Sequence, residues 1–146
     1  MKLTYRSEYA LLALVYLARN NNGHYIPAEA IATAQDIPLK FLEQLLLALK
    51  RAKYLRSSKG HNGGYCLGKP ADTISLAEII RLFDGALAPT ESVSENFHES
   101  TPIERDHSLV LVFRDIRDYV ARKLENTTLA DVCEAPLPPT SVSTKG

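Results

Sequence analysis

The sequence has few cysteines and no long apolar run, and each absence excludes a class of protein. Its two cysteines, Cys66 and Cys133, lie far apart, so they form neither a disulfide framework nor a CxxC metal pair. No stretch of about 18 apolar residues is present to form a transmembrane helix. The apolar stretch from Tyr9 to Ala18 follows Glu8 and lacks a small-residue cleavage site, unlike a signal peptide. We therefore expect a cytoplasmic protein with no membrane partner.

The chain also lacks net charge, because 17 Lys and Arg residues balance 17 Asp and Glu residues. The charges are unevenly distributed, however. Residues 1–69 hold ten basic and four acidic residues, whereas residues 70–146 hold seven and thirteen. A basic N-terminal half suits a nucleic-acid partner, and an acidic C-terminal half suits a different one. Part of the basic charge forms a run that fits either a DNA-contacting surface or an ordinary solvated face: Lys50, Arg51, Lys53, Arg56 and Lys59.

No arrangement of residues typical of an enzyme is present. The sequence contains no Ser-His-Asp or Cys-His arrangement and no phosphate-binding glycine loop between a strand and a helix. The four histidines are scattered over predicted loops. We predict no catalytic residues and no enzymatic activity.

Two helices joined by a short turn are predicted in the basic half. The first spans residues 27–34, with Ile31 facing inward, and the turn is Gln35-Asp36-Ile37. The second begins at Pro38, which suits a first helical turn, and continues to about residue 53. Its apolar side chains recur at helical spacing and leave a polar face on the opposite side: Leu39, Leu42, Leu45 or Leu46, and Leu49.

A hairpin is predicted directly after these helices. Short strands at residues 54–58 and 64–67 flank a turn that contains Asn62-Gly63, a strong hairpin signal. Residues 24–26 could add a short third strand. This order is typical of a winged helix-turn-helix, in which the second helix enters the major groove of DNA and the hairpin follows the backbone. DNA binding is therefore our working hypothesis.

Further helices are predicted on either side of this region. Thr4 is a plausible N-cap for a helix that ends at Arg19, and Ser75 with Glu78 forms a capping box for a helix that ends at Phe83. The periodic spacing of apolar residues is lost over residues 86–107, which are predicted to form a loop. Residues 129–132 form a short helical turn capped by Thr127 or Thr128. The buried side of the first helix is predicted to contain Tyr5, Tyr9, Leu12, Ala13, Tyr16 and Leu17.

A long helix over residues 108–126 carries a continuous apolar stripe. Its members are Leu109, Val112, Phe113, Ile116, Tyr119, Val120 and Leu124. A long helix beyond a small domain needs a partner for such a stripe. A second copy of the chain is one solution, because a two-fold dimer presents two recognition helices to a palindromic site. Packing of the stripe on the chain's own first helix is the alternative, and both can hold at once.

Several segments together resemble the Rrf-two family of bacterial winged-helix transcriptional regulators. They include residues 37–46 (IPLKFLEQLL) and the wing at residues 57–65 (SSKGHNGGY), and the resemblance extends from Met1 to about Glu134. It implies a homodimeric transcription factor, usually a repressor, that uses the long helix for dimerisation. It also implies major-groove contacts from Lys40, Phe41, Glu43 and Gln44, and a wing tip at the minor groove formed by Lys59, Gly60 and His61.

The resemblance fails at the residues that would hold a cofactor. Family members that sense iron–sulfur status or nitric oxide carry three cysteines between the short and the long helix, and thiolates suit such a cluster. Residues 86–107 contain none. We therefore expect no cofactor and no metal, although participation of Cys133 or replacement of natural cysteines in this sequence would reopen the question. Cluster-free members of the family are controlled by a partner protein, by thiol oxidation or by a ligand.

These observations predict a mainly α protein with a small β-hairpin wing (α+β). Residues 1–85 would form a winged helix-turn-helix DNA-binding domain, 86–107 a loop, 108–135 the dimerisation helix and a short C-terminal helix, and 136–146 a mobile tail. The predicted partners are double-stranded DNA, a second copy of the chain and a regulatory protein. An interaction module that acts through a partner protein, without its own operator, is the alternative function. The predicted DNA-binding residues are Lys40, Phe41, Glu43, Gln44, Lys50, Arg51, Lys59, Gly60 and His61.

Overall fold

The computed structural model describes residues 1–95 and 98–135, and within them it contains six α-helices and one antiparallel hairpin. The predicted mainly α architecture with a β-hairpin wing is therefore confirmed. The predicted mobile tail, residues 136–146, lies outside the described residues. The elements are α1 (Tyr5–Arg19), α2 (Ala28–Gln35), α3 (Leu39–Arg51), β1 (Leu55–Ser58), β2 (Gly64–Leu67), α4 (Leu76–Asp84), α5 (His107–Glu125) and α6 (Leu129–Glu134).

Helix α1 begins as predicted, because the Thr4 hydroxyl accepts a hydrogen bond from the backbone N–H of Ser7. The prediction of its buried side was partly wrong. Tyr5 is 72% exposed and Leu12 is 41% exposed. The helix packs on α2, α3, α4 and α6, and the small residues among those that it buries allow close approach of its neighbours. The residues of α1 that are buried are Ser7, Ala10, Ala13, Leu14 and Leu17.

Helices α2 and α3 form the predicted helix-turn-helix. Pro27 and Pro38 are the residues that precede the two helices, and each lies where its missing N–H costs no helical hydrogen bond. Asp36 adopts a left-handed conformation in the turn, which Asp tolerates better than most residues. Ile31 and Ile37 are buried on either side of this turn and hold the two helices on the core.

The hairpin follows α3 almost at once. Leu55 in β1 pairs with Leu67 in β2, and Ser58 pairs with Gly64. Ile26 adds the third pairing expected for residues 24–26, because its backbone N–H and C=O both bond to Tyr65 at 2.8 Å. The hairpin is thereby attached to the segment that leads into α2.

Helix α4 begins with the predicted capping box of Ser75 and Glu78; α5 packs on α4, whereas α6 packs on α1. Helix α5 begins at His107 with Asp106 as its N-cap, and Thr128 caps α6. The α5–α6 junction is joined to the start of α4 by backbone bonds from Leu76 to Thr127 and from Leu129 to Ile74.

Residues 86–107 lack long elements, as predicted, but the described part is folded against the body. It contains short 3-10 turns at Glu91–Val93 and Pro102–Arg105. Val93 and Ala88 are buried against Val110 of α5. No helix in the described ranges is both long enough and apolar enough to cross a bilayer.

Candidate nucleic-acid interface

Helix α3 has two sharply different faces. Leu42, Leu45, Leu46 and Leu49 are buried in the core around α1. The predicted polar DNA-binding residues of this helix are all exposed on the other side: Lys40, Glu43, Gln44, Lys50 and Arg51. The helix therefore offers hydrogen-bond donors, acceptors and positive charge along one accessible face.

Phe41 differs from the other predicted major-groove residues, because it is half-buried. Its ring meets the ring of Tyr9 edge to face, with centroids 5.5 Å apart and an interplanar angle of 81°. This geometry is favourable for aromatic pairs. The structure therefore assigns Phe41 a packing contact between α3 and α1 in addition to its predicted location beside the groove.

The predicted wing-tip residues Lys59, Gly60 and His61 are exposed together at the turn between β1 and β2. Two other glycines allow the close approaches behind this tip. A Cβ on Gly63 would overlap the backbone of Ser58, and a Cβ on Gly64 would overlap the carbonyl of Ile26. The wing shape thus depends on residues without side chains at both positions.

The positive charges of the basic run remain accessible to a partner. Lys50 and Arg51 end α3, Lys53 follows in a left-handed turn, and Arg56 and Lys59 continue into the wing. All five residues are exposed. We call this run the cationic edge; it leads along the chain from the end of α3 to the wing tip, and its exposed charges suit contact with a phosphate backbone.

A contact that sequence reasoning missed holds the base of the wing. The Tyr54 hydroxyl donates a hydrogen bond to Oε1 of Glu78 on α4 at 2.9 Å, and the Lys69 ammonium lies 4.5 Å from the Tyr54 ring centroid. Ser75 donates to the other carboxylate oxygen of Glu78 through its backbone N–H and its hydroxyl. No sequence signal indicates this link, because Tyr54 and Glu78 meet only in the tertiary structure.

This link perturbs the acidity of both partners. Burial, aided by the hydrogen bond to the Glu78 carboxylate, raises the pKa of Tyr54 to about 12. Burial opposes ionisation of Glu78, but the hydrogen bonds from Ser75 and Tyr54 outweigh it and keep the pKa of this carboxyl below its usual value. At neutral pH the pair is thus a neutral phenol donating to a carboxylate, which is a strong form of hydrogen bond.

The predicted stripe on α5 is largely open to solvent in the single chain. Leu109, Val112, Ile116 and Tyr119 are exposed, and the other three members are half-buried. The buried side of α5 is a different one. It contains Val110 and Ala121, and it packs on α4 and on the two 3-10 turns.

The two cysteines lie on separate elements of the structure. Cys66 lies on β2 of the wing, whereas Cys133 lies on α6 with its Sγ 4.0 Å from the carbonyl oxygen of Val15. The resemblance implies three thiolates in the loop between α4 and α5. In this chain Arg117 of α5 donates a hydrogen bond to the Val93 carbonyl of that loop at 2.9 Å, which attaches the loop to α5. Across residues 1–95 and 98–135, no group of three His, Cys, Asp or Glu residues is placed to hold a metal ion.

The chain is similar to known helix-turn-helix (HTH) regulators over most of its length. The family profile described as Rrf2, iron-dependent transcriptional regulator, matches residues 3–135. A Mycobacterium tuberculosis protein named for the HTH-type transcriptional regulators is 36% identical over 139 residues, which are 94% of this chain and 84% of that protein. IscR of Escherichia coli is 31% identical over 132 residues, which cover 90% and 80% of the two chains.

CymR of Bacillus subtilis is similar in both sequence and structure. Its sequence is 30% identical over 132 residues, covering 90% of this chain and 89% of CymR. Its solved structure, described as that of the global cysteine regulator of B. subtilis, superposes with a TM-score of 0.74, and the match covers 91% of this chain and 96% of that chain. These relatives are transcriptional regulators and not enzymes, as the sequence predicted. The chain therefore belongs to the Rrf2 family of helix-turn-helix transcriptional regulators.

Proposed function

We propose that this chain is a cytoplasmic, homodimeric repressor that binds a palindromic operator on double-stranded DNA. The observation that carries the proposal is the exposure of the polar residues of α3, of the basic run that follows them and of the wing tip. Helix α3 enters the major groove, and the wing reaches the backbone and the minor groove. A repressor of this kind occludes the promoter by occupying DNA and needs no chemistry of its own.

The residues of α3 supply different kinds of base contact. Gln44 can donate to and accept from an adenine edge, and Lys40 can reach a guanine or a phosphate. Glu43 accepts from a cytosine amino group but repels phosphates, so it favours selectivity over affinity. At the wing, Lys59 meets a phosphate as a point charge and lacks the planar fork of arginine.

The dimer in this proposal uses the apolar stripe of α5. Leu109, Val112, Ile116 and Tyr119 leave a contiguous apolar surface on one helix, and such a surface is costly to leave in water. A two-fold axis through α5 pairs the stripe with itself. It also places two copies of α3 on successive major grooves, which is why the operator is palindromic.

The proposal includes no cofactor, and it assigns the regulatory signal to a partner protein. The acidic charge carried by residues 70–146 is the proposed attraction for that protein. An ultraviolet–visible spectrum with iron and sulfide assays, on protein purified without oxygen, tests whether the chain holds a cofactor. We expect a colourless protein, and a brown protein with bound iron and sulfide would refute a cofactor-free regulator.

Selection from a pool of random DNA duplexes tests the proposed function itself. The full chain should enrich an inverted repeat whose half-sites are about one helical turn apart, or a multiple of it. Analytical ultracentrifugation of the complex should give two chains per duplex. If no sequence is enriched while the chain still captures a regulatory protein, the alternative of an interaction module without an operator replaces the proposal.

A further inference from the structure

Leu47 is an exposed leucine in the middle of the polar face of α3. Its side chain is 40% exposed. Because each helical residue turns by about 100°, Leu47 lies about 20° from Lys40 and about 40° from Arg51 around the helix axis. Glu43 and Gln44 flank it at about 40° and 60° on opposite sides. Leu47 therefore occupies the centre of the surface that the proposed function turns toward DNA.

Leu47 lies apart from the apolar face of α3 that packs in the core. The buried leucines of α3 lie about 100–160° away from Leu47 around the axis, with Leu49 at about 160°. A polar residue would be solvated there without loss, whereas an exposed leucine keeps apolar surface in water. A partner that covers this face of the helix would remove the remaining apolar surface of Leu47 from water.

We propose that Leu47 contacts the C5-methyl group of a thymine and adds a thymine preference to the operator. This inference rests on the proposed placement of α3 in the major groove. The thymine methyl is the apolar group that base edges present in that groove, and apolar side chains are its usual partners. Leu47 lies about 4.5 Å beyond Gln44 along the helix, so this thymine is one or two base pairs from the base read by Gln44.

Replacement of thymine by deoxyuridine tests the contact, because it removes only the methyl group. The operator is first obtained by selection with the wild-type chain, and each thymine is then replaced in turn. At one position of the half-site we expect about fourfold weaker binding, the effect of losing one buried methyl group. Leu47→Ala should bind the thymine and deoxyuridine duplexes equally. Alanine favours helix, so α3 is expected to stay folded, which circular dichroism checks.

Leu12→Ala is the matched control. Leu12 is 41% exposed on α1 and lies outside the proposed DNA surface, so this variant should keep the fourfold discrimination. A wild-type chain that is indifferent to deoxyuridine at every thymine would overturn the inference, as would a Leu47→Ala variant that keeps the discrimination. Failure to select any DNA would instead refute the proposed function, so the two failures are distinguishable.

Discussion

Gln44 and Lys59 lie in different parts of the proposed DNA surface and offer contacts of different kinds. Gln44 is exposed on α3, where its amide can pair with a base edge, and Lys59 is exposed at the wing tip, where its charge can meet phosphate. Base contacts carry sequence information, whereas phosphate contacts do not. Substitutions at the two residues should therefore have different effects on specific and random DNA.

Gln44→Ala should weaken binding to the selected operator by about 1–3 kcal/mol and should relax the preference at one or two base pairs. Binding to random DNA should change little, because the lost contact is to a base. Fluorescence anisotropy titrations with both duplexes at one salt concentration measure the two effects. Equal losses on the two duplexes would refute a base contact from Gln44.

Lys59→Ala should weaken binding to every duplex and reduce the dependence of log Kd on log salt concentration by about one per protomer. The reason is that one phosphate contact, with its released counterion, is lost from each protomer. Titrations over a range of salt concentrations measure the slope. Lys123→Ala, at an exposed position on α5, is the control and should leave the slope unchanged.

At the residue scale, the sequence predicted helix caps better than it predicted buried faces. Thr4 and Ser75 with Glu78 cap the helices they were expected to cap, and Thr128 is the one of the two candidates, Thr127 and Thr128, that caps α6. A cap depends on a few neighbouring residues. Tyr5 and Leu12 were wrongly predicted to be buried. Most sides of α1 are apolar, so its sequence alone does not determine which side meets the other helices.

At the element scale, the wing is attached to the body at two places. Ile26 pairs with Tyr65 on one side of the hairpin, and Tyr54 bonds to Glu78 at its base. The pairing of Ile26 with the hairpin was expected from the residues before α2, whereas the hydrogen bond between Tyr54 and Glu78 was not. Both limit how far the wing tip can move relative to α3, so the two DNA-contacting elements behave as one preorganised surface.

Ile116→Glu should convert the proposed dimer into a monomer. Ile116 is 43% exposed at the middle of the α5 stripe, and two glutamates near a two-fold axis would bury unpaired, mutually repelling charges. Sedimentation velocity should show the mass of one chain, and operator affinity should fall because a monomer holds only one half-site. A wild-type chain that already sediments as a monomer would contradict the proposed interface.

Leu111→Glu is the matched control for this experiment. Leu111 is 47% exposed on the same helix, but it lies about 140° around the axis from Ile116. The variant adds the same charge to a similarly exposed apolar position outside the stripe, so it should remain a dimer. Dissociation of both variants would show that the contact surface on α5 is not the predicted stripe.

At the scale of the whole molecule, Asp84 connects the end of α4 to the start of α1. Its carboxylate at the end of α4 accepts hydrogen bonds from the Thr4 backbone N–H and from the Thr4 and Ser7 hydroxyls at the start of α1. Burial opposes ionisation, but these bonds outweigh it and keep the pKa of Asp84 below its usual value. Folding therefore favours the ionised form of this residue.

Asp84→Asn should lower the free energy of unfolding at pH 7 by about 1 kcal/mol, since the charged hydrogen bonds are partly screened by solvent. Because the pKa is lowered in the folded state, the stabilisation is full above the unfolded value of 3.8 and is lost as the pH falls through the folded value. Urea unfolding at pH 7 and near pH 3, at one protein concentration, should show the difference between variant and wild type shrinking in acid. A difference that is the same at both pH values would contradict this role. Asp72→Asn, at an exposed residue, is the control.

The sequence by itself determined the elements, their order and the uneven distribution of charge. Helical periodicity, caps and the Asn62-Gly63 turn depend on residues that are close together in the sequence. They can therefore be recognised without knowing which distant segments pack against them. The tertiary structure alone decided which side of α1 is buried, that Phe41 packs on Tyr9, and that Tyr54 reaches Glu78. It also showed that Leu47 stays exposed. These features depend on how distant segments pack, because burial and side-chain contacts arise only when the helices meet.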